Sequence, residues 1–246
     1  MNKDKIILNV ENFSVSFLIK DSFYIFKKKY SIVNNEINLS LKEGKITGLQ
    51  GDSGCGKTIL LKGILGLLDE HTSKISGRAI YNINNENINI IEAKNKTLKL
   101  IRRNVQPVFQ DPYSSMNSSH TIFRIVEEPL LYLTDFSKAE RKDLVFSILE
   151  EVGIDKTDIN KYSFEFSAGQ RQRIMIARAL IIKPKILIAD EPAASLDFSN
   201  QSQILNLFLD MKEKYNLTIL ISSHDSKVLE LLCDEIKFMK NGKIQK

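Results

Sequence analysis

The stretch Gly51-Asp52-Ser53-Gly54-Cys55-Gly56-Lys57-Thr58 constrains this chain more than any other, because it matches the pattern GxxxxGK[ST]. In that pattern glycines let backbone N–H groups converge on phosphate oxygens. Lys57 reaches the β and γ phosphates of a nucleotide, and Thr58 offers its hydroxyl to a magnesium ion. The loop needs a strand before it and a helix after it. Lys45 to Gln50 reads as a buried strand, and Thr58 to Leu68 carries the apolar density of a helix whose N-terminal dipole favours an anion. Cys55 lies inside the loop, where small residues are accepted and side chains can point outward, so it reads as a tolerated residue and not a catalytic thiol.

The rest of the chain supplies an α/β frame. Ile6 to Val10 and Ile32 to Leu41 read as strands, and Asn-rich turns between short strands are expected from Tyr81 to Ile91. Ser137-Lys138-Ala139-Glu140 opens a helix with a capping-box pattern, followed by Leu144, Ile148 and Val152 on one face beside Val145 and Leu149. Lys185 to Asp190 and Leu217 to Ser222 are apolar strands, with a helix at Asn200 to Tyr215 between them. Strands alternating with helices imply a mainly parallel sheet. Asn241-Gly242, between Phe238-Met239-Lys240 and Lys243-Ile244, suits a tight hairpin turn. At 246 residues without internal repeats, one domain over 1–246 is the simplest layout.

Composition narrows the surroundings. Charged residues at 26% and hydrophobic residues at 43% exclude a disordered or fibrous class. The net charge of +5 fits a phosphate-rich partner but is spread along the chain, and Lys27-Lys28-Lys29 reads as a solvated loop. The two cysteines, Cys55 and Cys233, lack disulfide or zinc spacing and suit a reducing cytosol. No apolar stretch approaches the roughly 18 residues of a membrane span, and Met1 to Glu11 is too short in apolar content for a signal-peptide core.

A nucleotide hydrolase also needs an acidic residue at the tip of a neighbouring strand. Ile186-Leu187-Ile188-Ala189-Asp190-Glu191 supplies Asp190 to hold magnesium through water and Glu191 to polarise the attacking water as general base. Between the loop and this strand, Phe166-Ser167-Ala168-Gly169-Gln170-Arg171-Gln172-Arg173 resembles the signature of ABC ATPases, with Val108-Phe109-Gln110 and Ile221-Ser222-Ser223-His224-Asp225 matching that family's strand-end glutamine and switch histidine. The resemblance spans nearly the whole chain. It implies a P-loop NTPase of ABC type: a mainly parallel core sheet, an antiparallel β subdomain and an inserted helical subdomain at about 112–166.

The same resemblance implies the site. ATP's phosphates would lie on Gly51, Asp52, Ser53, Gly54, Cys55, Gly56, Lys57, Thr58 and Ile59, with Phe17 against adenine or simply in the core. Mg2+ would take Thr58, Gln110 and Asp190, while Glu191, His224 and Lys57 would act in hydrolysis, His224 on the γ-phosphate. Ser167, Ala168, Gly169 and Gln170 would bind the ATP held by a second cassette, since Ser167 and the amides near Gly169 open a helix toward an anion. Ala168 replaces the usual glycine, and the change is expected to be tolerated; a Cβ that hinders backbone approach, or strains the backbone if φ is positive, is the route by which it would impair hydrolysis. Ala193 and Ser195-Leu196-Asp197 are mild departures that remove no phosphate or metal ligand.

Within the family, Gln106-Pro107-Val108-Phe109-Gln110-Asp111-Pro112-Tyr113-Ser114-Ser115-Met116-Asn117, with Glu165-Phe166, is similar to the oligopeptide, dipeptide and nickel importer branch. That implies an ATPase at the cytoplasmic face of the membrane, paired with a second related ATPase subunit as a heterodimer or with itself. Two permease subunits would sit above it, contacted by its helical segment, and an extracytoplasmic binding protein would deliver substrate. The short run after Gly242 leans toward nickel or metal-chelate import over peptide import. The rival class is a soluble ABC ATPase of a multisubunit enzyme or nucleic-acid complex. Against it stand the lack of a coiled-coil insertion and of a concentrated basic stripe, and no nucleic acid is expected.

Overall fold

The computed structural model describes residues 5–19 and 29–245. Lys27, Lys28 and residues 1–4 of the sequence reading lie outside them. Along the chain come β1 (Ile6–Ile19), β2 (Lys29–Lys42), β3 (Ile46–Gln50), α1 (Lys57–Ile64), β4 (Ser73–Ile83), β5 (Glu86–Asn89), α2 (Asn95–Asn104) and β6 (Val105–Val108). They are followed by α3 (Pro112–Ser115), α4 (Ile122–Leu133), α5 (Lys138–Glu151), α6 (Ala168–Leu180), β7 (Ile186–Asp190), α7 (Phe198–Tyr215), β8 (Thr218–Ser223), α8 (Ser226–Leu232), β9 (Glu235–Lys240) and β10 (Lys243–Ile244). Two compact units divide the chain, one formed by 1–101 with 222–246 and the other by 102–221.

In the first unit, β2-β1-β4-β5 form an antiparallel sheet. Its buried face shows why an extra residue in β1 matters: Leu8 and Val10 are buried before Asn12, Phe13 and Val15 after it, so the inward parity changes. The pairing with β4 shifts register between Glu11 and Ser14, and Asn12 takes φ 46, the marks of a bulge that re-aims the strand. Asn84 and Asn85, at φ 53 and 67, turn β4 into β5 as the Asn density predicts. The helix α1 stops at Ile64, short of the Leu68 expected from apolar density. Gly66 at φ 66 is the reason, since its N–H bonds to the Gly63 carbonyl and that of Leu67 to the Lys62 carbonyl. The buried Tyr81 hydroxyl donates to the Ile64 carbonyl at 2.7 Å, fastening that helix end to β4.

The strand β3 runs parallel to β9, and β9 turns into antiparallel β10 through Asn241 at φ 48 and Gly242 at φ 73. Gly48 on β3 meets Leu229 and Cys233 of the α8 region, where a Cβ would come within 2.9 Å of the Cys233 sulfur. Burial pushes that thiol up to about 12, so Cys233 is an inert packing group.

In the second unit, β6 and β7 are parallel and the strand order is β8-β7-β6. The helices α4, α5 and α6 pack on one another, and their residues Ile125, Val126, Leu130, Val145, Leu149 and Ile176 are nearly or fully buried. The capping box at Ser137 and Glu140 is present, which fixes where α5 starts. Buried Glu127 accepts from Arg141 Nε at 2.7 Å, and Glu128 pairs with Arg178 at 2.7 Å, so α4 is tied by charge to both neighbouring helices. The Tyr215 hydroxyl donates to Glu151, joining α7 to the end of α5.

Candidate functional site

The residues singled out in the sequence fall into two groups, one in each compact unit. In the first unit the strand-loop-helix order is as the sequence predicts. Lys57 is only 4% exposed, and its ammonium donates to the carbonyls of Gly51 at 2.6 Å and Asp52 at 3.2 Å. That draws the side chain back over the loop. Gly56 at φ 107 serves as the N-cap of α1 without any side-chain cap, so Thr58 and Ile59 head the helix where helix geometry supplies no acceptor. Asp52, Ser53, Gly54 and Thr58 are exposed, and nothing lies within 4 Å of a Cβ placed on Gly54. An open loop with a cation across it and a helix N-terminus below fits a polyphosphate with its divalent ion.

Cys55 departs from the outward-facing reading. It is half-buried, and its sulfur lies 2.7 Å from where a Cβ on Gly51 would stand, so it is folded under the loop. The cause is the turn itself, closed by the Cys55 N–H on the Asp52 carbonyl at 3.2 Å. In the same unit Phe17 is a half-buried residue of β1, opposite Ser31 and Ser73. His224 is exposed after β8, in a turn fixed by the Asp225 N–H on Ser223 Oγ at 3.0 Å and by Asp225 capping α8 through the Lys227 N–H at 2.9 Å.

In the second unit Asp190 ends β7 and is 5% exposed, and Glu191 follows at φ 44. A non-glycine residue in the left-handed region is uncommon, and such strain gathers at functional sites. Gln110 is exposed beyond the end of β6. Its neighbour Phe109 accepts through its carbonyl from the buried Gln172 amide at 3.4 Å. Gln172, quoted in the sequence only as part of a motif, thus ties the α6 signature helix to the glutamine segment.

Ser167 is the N-cap of α6 in a full capping box with Gln170, a pattern legible as Ser-x-x-Gln in the sequence. Ala168 is the first helical residue and exposed, and its φ is not positive, so the strain considered for it does not arise. The tight position is Gly169, where a Cβ would stand 2.7 Å from Asn200 Oδ1. Asn200 in turn donates to Asp197 Oδ2 at 2.6 Å, and its N–H holds the Asp197 carboxyl below the usual carboxylate range. Arg171 donates to the Phe166 carbonyl at 2.8 Å and lies over the Tyr113 ring, 5.6 Å from its centre. Nothing local in the sequence marks Asn200 or Arg171, because the contacts of Asn200 with Gly169 and of Arg171 with Tyr113 join segments far apart in the chain.

The site elements define an ATP-binding cassette. The family model described as ABC transporter matches residues 34–194, and the chain belongs to that family. Among its relatives, the oligopeptide transport ATP-binding protein OppF of Streptococcus pyogenes is 40% identical over 91% of this chain and 70% of its own length. AppF of Bacillus subtilis, likewise an oligopeptide transport ATP-binding protein, is 37% identical over 89% of this chain and 65% of its own length. YejF of Escherichia coli, an uncharacterized ABC transporter ATP-binding protein, is 37% identical over 97% of this chain and 44% of its own length. The chain therefore spans between about half and two thirds of the length of several curated relatives. Among solved structures, cbiO1 of Clostridium perfringens, part of the cbiONQ complex, is similar at a TM-score of 0.78 and 28% identity over 99% of this chain and 88% of its own. The dimeric cassette MJ0796 bound to ADP and Pi is similar at 0.80 and 26% identity over 97% of each chain.

Proposed function

We propose that this chain is the ATP-binding and ATP-hydrolysing subunit of an importer for di- or oligopeptides. The observation that carries the reading is the open loop from Gly51 to Thr58, with Lys57 held across it on two carbonyls. Those two bonds keep the ammonium in reach of a phosphate and are exchanged for it when nucleotide arrives. Thr58 and Asp190, with Gln110, would hold Mg2+, which would neutralise phosphate charge there. Thr58 is exposed at the head of α1, where its hydroxyl would serve as such a ligand.

Glu191 takes a proton from the attacking water, and His224 donates a hydrogen bond to the γ-phosphate. Phe17 stacks on adenine. Ser167 and the amides from Ala168 to Gln170 serve the nucleotide of a second cassette, because a capped helix start offers donors and a positive dipole end to an anion. The partner is a related ATPase or a second copy, and MJ0796 is described as dimeric. The chain acts as one cassette over 1–246, with 112–166 as its helical subdomain facing two permeases at the cytoplasmic side of the membrane. An extracytoplasmic binding protein supplies the substrate. No helix among the described residues is long and apolar enough to cross a membrane.

The names of relatives support peptides as cargo. Uptake of labelled dipeptide and of nickel, compared between a deletion strain and one carrying Lys57→Ala, tests it. Peptide uptake should be lost in both. Nickel uptake lost with peptide uptake intact would move the cargo to nickel, and neither lost would remove the importer role.

A further inference from the structure

The phosphate loop does not hold its own shape unaided. Its two ends rest on the C-terminal hairpin formed by β9 and β10: a Cβ on Gly51 would stand 2.5 Å from the Met239 carbonyl, and one on Gly56 would stand 3.2 Å from the Met239 methyl. The hairpin turn is itself locked, with the Gly242 N–H on the Cys55 carbonyl at 3.0 Å and the Asn35 N–H on the Gly242 carbonyl at 2.8 Å. Gly242 sits at φ 73 with its Cβ position only 2.0 Å from the Val33 carbonyl, so no side chain fits there without moving the turn.

Asn34 completes the arrangement from β2. It is fully buried, and its amide donates to the Gly56 carbonyl at 3.2 Å, immediately before Lys57. That amide also occupies the space into which a Cβ on Gly56 would project, at 2.7 Å. Its Oδ1, by contrast, has no hydrogen-bond partner among the described residues. Burying an unmatched acceptor is destabilising. A leucine of similar volume would spare the fold that cost, so stability alone does not account for the residue.

We propose that Asn34 is a positioning residue for nucleotide binding: by holding the Gly56 carbonyl to β2 it keeps the loop in its phosphate-ready shape before ATP arrives. The gain is preorganisation, since a loop already ordered loses less freedom when it binds. The proposal rests on the ATP-binding reading above, and wild-type binding of ATP tests that reading separately.

The experiment compares wild type, Asn34→Leu and Gly242→Ala for Mg-ATP affinity by fluorescent-nucleotide titration, for the KM and kcat of ATPase, and for nucleotide-free melting temperature. Asn34→Leu should melt at or above the wild-type temperature yet bind Mg-ATP about three- to tenfold more weakly, with KM rising and kcat little changed. Gly242→Ala should weaken binding at least as much, by lifting the hairpin from the loop. Wild-type affinity in a folded Asn34→Leu would overturn the proposal. If Asn34→Leu does not fold, the role of Asn34 is structural and the proposal fails with it. Absence of ATP binding by wild type would instead remove the functional reading beneath it.

Discussion

At the residue scale, the signature separates two positions that look interchangeable in the sequence. Ala168 is exposed on the first turn of α6 without positive φ, so Ala168→Gly should leave ATPase activity within about twofold, gaining only the small helix penalty of glycine. Gly169→Ala places a Cβ 2.7 Å from Asn200 Oδ1 and must displace the Asn200 side chain from beside the signature turn, so ATPase activity should fall at least about tenfold. Steady-state phosphate release measures both. Equal losses in the two variants would contradict the geometry. The sequence pointed to Ala168 as the weak place because a missing glycine is visible there, whereas the crowding at Gly169 comes from Asn200, far along the chain and unmarked by any local pattern.

At the element scale, what the sequence disclosed was whatever local chemistry decides. The capping box at Ser137 and Glu140 and the paired positive φ of Asn241 and Gly242 are short-range, and both are present. Ser137→Ala should therefore lower stability by about 1 kcal/mol in chemical denaturation, with ATP affinity unchanged. The length of α1 was misjudged because leucines continue past the helix, while one glycine in the left-handed region ends it. The bulge at Asn12 was hidden for another reason: it exists only through pairing of β1 with its neighbours β2 and β4, which no window of one strand can display. The arrangement of Arg171, Gln172 and Asn200 around the signature was illegible on the same grounds.

For the whole molecule, charge sets the pH range of stability. Hydrogen bonds from the hydroxyls of Ser114 and Ser137 depress Asp111 and Glu140, and backbone N–H groups of Thr157 and Asn200 depress Asp155 and Asp197, from ordinary values of 4.5 or 3.8. A depressed carboxyl stabilises the fold fully above its unfolded value, and that contribution is lost as pH falls through the lower folded value. Lys45 and Lys161, raised above 10.5 by hydrogen bonds with Asp234 and Asp158, stabilise fully below that value and lose their effect as pH climbs through the raised one. The melting temperature should hence decline once pH drops below 4.5, and a Tm unchanged down to about pH 3 would contradict the assignment.

On the proposed reading Lys57 holds ATP and Glu191 drives its hydrolysis, and measuring binding and turnover of Mg-ATP together in the assembled transporter separates the two roles. Lys57→Ala should lose nucleotide binding, whereas Glu191→Gln should bind like wild type and release phosphate at least about a hundredfold more slowly. Wild-type turnover by Glu191→Gln, or undiminished binding by Lys57→Ala, would contradict it.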